Sequence, residues 1–190
     1  MRTHRTLAAL TLLVGQLLIP RPAHAQAPPG CPAPTPAEIR RAGKSQADQP
    51  PKGARALTGL RVGHLPKGFS WGQVNVYSYD DVAEYSYLWS DNRDDVDRGH
   101  RSLWVRVACW PKAAGPAQLR TAPFILGTFA GDVRQMKVGK RTVLTKEGDG
   151  ALGHGRYAGW VERKGVVITV MASQPLVPEL TEIIKGITLR

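Results

Sequence analysis

The sequence predicts an α+β fold: an antiparallel β-sheet of about six strands with a C-terminal α-helix packed on one face. Three observations carry this. Runs of alternating or β-branched apolar residues fill the chain from Ala56 onward. Short turns containing Gly139 and Gly165 separate pairs of those runs. A single amphipathic helical stripe follows them, and strands first with a helix last fit a layered α+β arrangement better than alternating β-α-β units.

The N-terminal 25 residues read differently. Arg2 and Arg5 precede an apolar run over residues 7–19, and Ala23-His24-Ala25 follows a Pro-Arg-Pro break. A basic head, a short apolar centre and a small-x-small end mark a secretory signal peptide, expected to be cleaved after Ala25. The apolar run is shorter than the roughly 20 residues a bilayer span needs. The expected location is therefore secreted or periplasmic, with no transmembrane segment after cleavage. The organisation read from the chain is a signal peptide over 1–25, a Pro-rich arm over 26–56 and an α+β domain over 57–190.

Loss of Arg2, Arg5 and Arg21 takes Lys+Arg from 26 to 23 against 15 Asp+Glu, a mature charge of about +8. Such a balance draws anionic partners, and export argues against nucleic acid as one of them. The two cysteines, Cys31 and Cys109, pair more readily than they stay free in an oxidising compartment, so a disulfide is expected. It would tie the arm to a strand and contribute roughly 3–5 kcal/mol in the chain-entropy picture. Lipidation of Cys31 is disfavoured because Pro28-Pro29-Gly30 precedes it.

Within the arm, Thr35-Pro36-Ala37-Glu38 has capping-box spacing with proline at the first helical position, predicting a short helix over 36–42 that stops at Gly43. Residues 71–79 and 84–89 form a hairpin pattern around Asp80-Asp81. Residues 103–110 alternate, with Leu103, Val105, Val107 and Cys109 on one face and Trp104, Arg106, Ala108 and Trp110 on the other. Strands over 132–138 and 141–146 flank Gly139-Lys140. Two more over 157–162 and 166–171 flank Arg163-Lys164-Gly165, while residues 121–129 give no clear signal. Pro178 opens the last helix, and Leu180, Ile183, Ile184 and Ile187 form its apolar stripe.

No constellation of catalytic residues stands out, and no cofactor is implied. Gly68-Phe69-Ser70-Trp71-Gly72 matches the nucleophile-elbow pattern, with His154 downstream. That motif needs a strand-to-helix turn, and here a strand-like run follows it. A small hydrolase using Ser70 is thus an alternative, as is a purely structural or interaction protein. Asp91, Asp95 and Asp97 make a weak calcium candidate in a loop without the EF-hand glycine and glutamate. The glycine-rich stretch over 150–157 lacks the Gly-Lys-Ser/Thr of a phosphate loop.

Two binding hypotheses remain. Tyr77, Tyr79, Tyr85, Tyr87, Trp89 and Trp104 crowd neighbouring strands. With a loop at Asp81-Val82-Ala83, Tyr79 would face Tyr85 and Tyr77 would face Tyr87, a cross-strand aromatic ladder that serves either as core or as a ligand surface. Arg134, Lys137, Lys140 and Arg141 form a basic cluster on one hairpin, suited to an anionic lipid or polymer or to guarding a strand edge.

The order Leu65-Pro66-Lys67-Gly68-Phe69, Val138-Gly139-Lys140, Tyr157-Ala158-Gly159-Trp160, Val166-Val167-Ile168-Thr169-Val170 and a closing helix resembles a family of extracytoplasmic bacterial domains of unknown function. These domains occur at the outer ends of some anti-sigma factors and in secreted proteins, and are distantly like lipoprotein carriers. Gly159 takes the place that leucine has in that pattern. The resemblance spans about residues 60–189 and implies a noncatalytic binding role; with export and the basic charge, the expected partner is a lipid, an anionic polymer or a protein of the envelope. It transfers no site residues.

Overall fold

A computed structural model describes residues 29–123, 129–148 and 154–190. The expected signal peptide lies outside the described residues, as do residues 150–153 of the glycine-rich stretch. In chain order the elements are α1 (Pro36–Gly43), β1 (Ala47–Asp48), β2 (Leu60–Val62), β3 (Trp71–Tyr79), β4 (Val82–Ser90), β5 (Ser102–Cys109), α2 (Pro116–Leu119), β6 (Arg134–Val138), β7 (Arg141–Glu147), β8 (Gly155–Arg163), β9 (Val166–Ser173), a 3-10 turn (Gln174–Glu179), α3 (Leu180–Gly186) and β10 (Ile187–Leu189).

Eight strands form one sheet in the order β1-β3-β4-β5-β9-β8-β7-β6, and β10 pairs separately with β2. Every pairing is antiparallel. The chain runs β3-β4-β5 as a meander, jumps to the far edge at β6, and returns through β7 and β8 so that β9 closes against β5. The expectation of about six strands is corrected upward. The seven strand-like runs read from the sequence become β3 to β9, and the strands without a sequence signal, β1, β2 and β10, are two or three residues long, too short for alternation to show.

The sheet buries both faces. The first carries Tyr85, Tyr87, Trp89, Val105, Val107, Ile168, Val170 and Trp160 in one apolar cluster with Ala56, Leu57, Leu60, Leu180, Ile183 and Ile184. The second carries Trp104, Ala108, Val167, Met171 and Tyr157, clustered with Ala113, Leu119, Ala122 and Phe129 from the long β5–β6 connection. This double burial explains why β5 and β9 are buried at every position, although Trp104, Arg106 and Thr169 interrupt their apolar runs.

The closing segment differs from the single helix expected from Pro178 to Ile187. Residues Gln174–Glu179 wind as a 3-10 turn, α3 covers only Leu180–Gly186, and Ile187 begins β10. All four residues of the apolar stripe are nevertheless buried. Helix α1 starts at the expected capping box, with Thr35 Oγ1 accepting from the Glu38 N–H and the Glu38 carboxylate accepting from the Thr35 N–H.

The Pro-rich arm is fastened along its length. Cys31 and Cys109 are joined by a disulfide, with Cα atoms 5.9 Å apart. The polar tips of the buried aromatic row hold the rest. The Thr58 N–H donates to Tyr85 Oη at 2.8 Å, and the Lys52 N–H donates to Tyr87 Oη at 2.9 Å. Tyr87 donates to Asp48 at 2.8 Å, and Trp89 Nε1 donates to the Lys52 carbonyl at 2.6 Å. Gly72 makes room for this arrangement, because a Cβ there would lie 2.5 Å from the Tyr87 ring.

Candidate functional site

The register of β3 against β4 decides where the aromatic residues go. Tyr79 pairs with Val82, Tyr77 with Glu84, Val76 with Tyr85 and Val74 with Tyr87. The turn is the two residues Asp80-Asp81, with Asp80 in the left-handed region at φ 46°. The expected ladder of Tyr79 on Tyr85 and Tyr77 on Tyr87 is therefore corrected. It needed a register three places away, and an odd shift moves every side chain to the other face. Tyr85, Tyr87 and Trp89 lie in the core on the first face, with the Tyr87 and Trp89 rings 4.6 Å apart. Tyr77, Tyr79 and Trp104 are on the second face, where Tyr77 is 54% exposed.

An ion pair that sequence reasoning missed lies on that second face. Arg106 Nη1 is 3.6 Å from Glu84 Oε1, and the two side chains are only 5% and 6% exposed. Arg106 Nε donates to Thr169 Oγ1 at 2.9 Å, and its guanidinium sits 4.8 Å from the centre of the Trp104 ring. Burial raises the Glu84 carboxyl above its ordinary range, and the charge of Arg106 opposes that shift. The only hint in the sequence was a charged residue at an alternating position in each of two apolar strands.

The basic hairpin is formed as expected, with β6 and β7 joined through Gly139-Lys140 and Val138 pairing Arg141. Arg134, Lys137 and Lys140 are exposed along it, and Lys137 Nζ donates to Thr142 Oγ1 at 2.6 Å. Arg141 plays another part. It grips Glu162 with Nε at 2.8 Å and Nη2 at 3.1 Å, donates to the Ile187 carbonyl at 2.6 Å and to the Ile184 carbonyl, and stacks on Trp160. Burial alone would raise the Glu162 carboxyl, but the hydrogen bonds from Arg141 and Trp160 outweigh it and hold the group low. Arg141 thus straps the end of α3 to the sheet.

Beside this strap opens a groove of about 580 Å³. It is lined by Ala114, Gly115 and Pro116 from the β5–β6 connection, by Val138 and the Gly139–Thr142 turn, by Val161 and Glu162, and by Lys185. Lys185 is paired with Glu182 at 2.7 Å.

In the acidic loop, the carboxylates turn to their own neighbours. Asp91, Asp94 and Asp97 accept from the N–H groups of Arg93, Val96 and Gly99. The buried His100 ring places Nδ1 at 3.0 Å from Asp91 and Nε2 at 3.4 Å from Asp95. Among the described residues no group of three or more His, Cys, Asp or Glu side chains is placed to hold a metal.

Ser70 precedes strand β3, and its N–H donates to the Ser90 carbonyl. His154 precedes β8 at the same end of the sheet. The order β3-β4-β5-β9-β8 separates them by four inter-strand steps, or roughly 19 Å. That exceeds hydrogen-bond reach several-fold. No helix follows Ser70, so the geometry of a nucleophile elbow is missing there.

No protein-family model, curated protein or solved structure matches this chain.

Proposed function

We propose that the chain is an exported, noncatalytic module that binds an anionic polymer of the cell envelope along the β6–β7 hairpin and the groove beside it. The observation that carries this reading is the 580 Å³ groove lined by Lys140, at the turn of a hairpin whose strand β6 exposes Lys137 and Arg134. Exposed cations on one edge attract a chain of negative charges, and the groove offers space for one repeat unit. Helix α3 closes the first face of the sheet in this reading, supported by the shared burial of Leu180, Ile183 and Ile184 with Val143 and Trp160.

Export is supported by the disulfide. No helix among the described residues is long and apolar enough to cross a membrane. An acyl-chain carrier finds less support, because Tyr85, Tyr87 and Trp89 are packed in the core with their polar tips bonded to the arm. Tyr77, Tyr79 and Trp104 lie on the other face, so the aromatic residues do not line one common surface.

The test is titration with poly(glycerol phosphate) and, separately, with phosphatidylglycerol vesicles. Lys137→Glu with Lys140→Glu should weaken polymer binding at least tenfold in 50 mM salt, and added salt should weaken the wild type. Polymer binding that ignores both salt and charge reversal would overturn the reading. Binding to vesicles but not to free polymer would replace the polymer with a lipid surface.

A further inference from the structure

Strand β3 is an edge that the fold leaves half covered. It runs from Trp71 to Tyr79, but β1 pairs only with Gly72 and Gln73. The chain just before β1 turns away, because the Gln46 N–H donates to the Arg41 carbonyl instead of continuing along β3. Helix α1 packs over the first face of the sheet and not beside the strand. Its buried Glu38 bonds Thr58 and Tyr85, and Tyr85 is a first-face residue of β4. Among the described residues, no backbone group outside β4 bonds Asn75–Tyr79. The outward N–H and C=O groups of this stretch therefore have no strand beside them, and Tyr77 and Ser78 are exposed.

An open edge is normally guarded by charge, proline or a bulge. The opposite edge of the sheet follows this rule, since β6 carries the exposed Arg134 and Lys137. The open part of β3 reads Asn-Val-Tyr-Ser-Tyr and pairs with β4 without a bulge. It has no charge and no proline, on a chain of net charge +11. Exposed large apolar side chains gather at the same place. Tyr77 is on the strand, and Ile39 is on α1, the helix packed against it.

Such a stretch accepts one more antiparallel strand, and a second copy of itself fits it. A two-fold axis through Tyr77 pairs Asn75 with Tyr79 and Val76 with Ser78, and it keeps paired side chains on the same face. The length is right at both ends. The added strand finishes at Tyr79, opposite Asn75, just before β1 takes over at Gln73. The exposed Asp80 in the turn of one copy then arrives at the start of β1 in the other, close to where α1 ends at the exposed Lys44. Opposite charges meet there twice, once for each copy, on a protein whose net charge makes copies repel elsewhere. We infer that the protein forms a two-fold dimer through β3, in which two eight-stranded sheets become one continuous sheet. The two Tyr77 rings face each other across the axis, and the β6–β7 hairpins lie at the two outer ends.

Sedimentation velocity of the mature protein from about 1 to 100 μM tests the inference. A monomer–dimer equilibrium within that range is expected, with slower hydrogen exchange at the amides of residues 75–79 in the dimer. Tyr77→Lys sets two like charges opposite each other on the axis and should weaken the dimer about tenfold. Its far-UV circular dichroism should match the wild type, since the residue is exposed. Lys44→Glu should weaken the dimer severalfold in low salt, and Lys137→Glu on the far edge should leave it intact. A monomer at every concentration, or a dimer that withstands Tyr77→Lys, would overturn the inference. The first of these results would leave the edge to an extended segment of another protein.

Discussion

Replacing Arg106 by methionine is expected to destabilise the protein strongly at neutral pH and much less in acid. Arg106 and Glu84 are buried together on the second face, 3.6 Å apart. The substitution keeps most of the side-chain volume but leaves the Glu84 carboxylate buried without its cation. Breaking one partner of a buried pair costs about 3–5 kcal/mol. For a domain of this length that is a fall in Tm on the order of 10 °C. The sign of the pH dependence follows from Glu84, whose folded-state pKa is raised by burial. A carboxyl with a raised folded pKa favours the protonated folded state, so stability falls as pH rises from the unfolded value toward and through the folded one. In Arg106→Met the opposing charge of the guanidinium is gone, the pKa climbs further, and the pH-dependent loss grows. The deficit relative to wild type should therefore shrink steadily as pH drops toward 4.5. The double variant Glu84→Leu with Arg106→Met removes both charges and should recover most of the loss. Urea unfolding from pH 4.5 to 8 measures all three proteins. A deficit below about 1 kcal/mol at pH 7, or one independent of pH, would refute the argument.

Two further outcomes concern the arm. Cys31→Ala with Cys109→Ser should cost about 4.5 kcal/mol from the 78-residue separation of the bridged cysteines, read by urea unfolding, while nonreducing peptide mapping of the wild type should recover a Cys31–Cys109 peptide. Tyr87→Phe removes the hydroxyl that accepts from the Lys52 N–H and donates to Asp48, and should cost about 1–2 kcal/mol with faster hydrogen exchange at the Lys52 amide; unchanged exchange there would detach the arm from this anchor.

Local rules governed what was legible in advance. The Thr35–Glu38 capping box, the Gly139-Lys140 turn and the alternation of β5 each depend on residues within one or two turns of each other, and each appears as expected. The aromatic ladder depended on register, and a two-residue turn at Asp80-Asp81 in place of a loop at Asp81-Val82-Ala83 shifted that register by three places. Gly159 shows the same division. The glycine is visible in the sequence, but the reason for it is not. The Phe129 ring, brought by the β5–β6 connection, lies where a Cβ would be, 2.4 Å away.

The candidate sites divide in a similar way. Arg134, Lys137, Lys140 and Arg141 were found together because one hairpin holds them, yet only the tertiary structure showed that Arg141 is occupied by Glu162 and the carbonyls that end α3. The meeting of Glu84 with Arg106 required two strands to be laid side by side. The sequence by itself determined most of the antiparallel strands, the turn at Gly139-Lys140 and the pairing of Cys31 with Cys109. The tertiary structure decided which side of each strand is core, because both faces of the sheet are covered and hydrophobic alternation no longer distinguishes inside from outside.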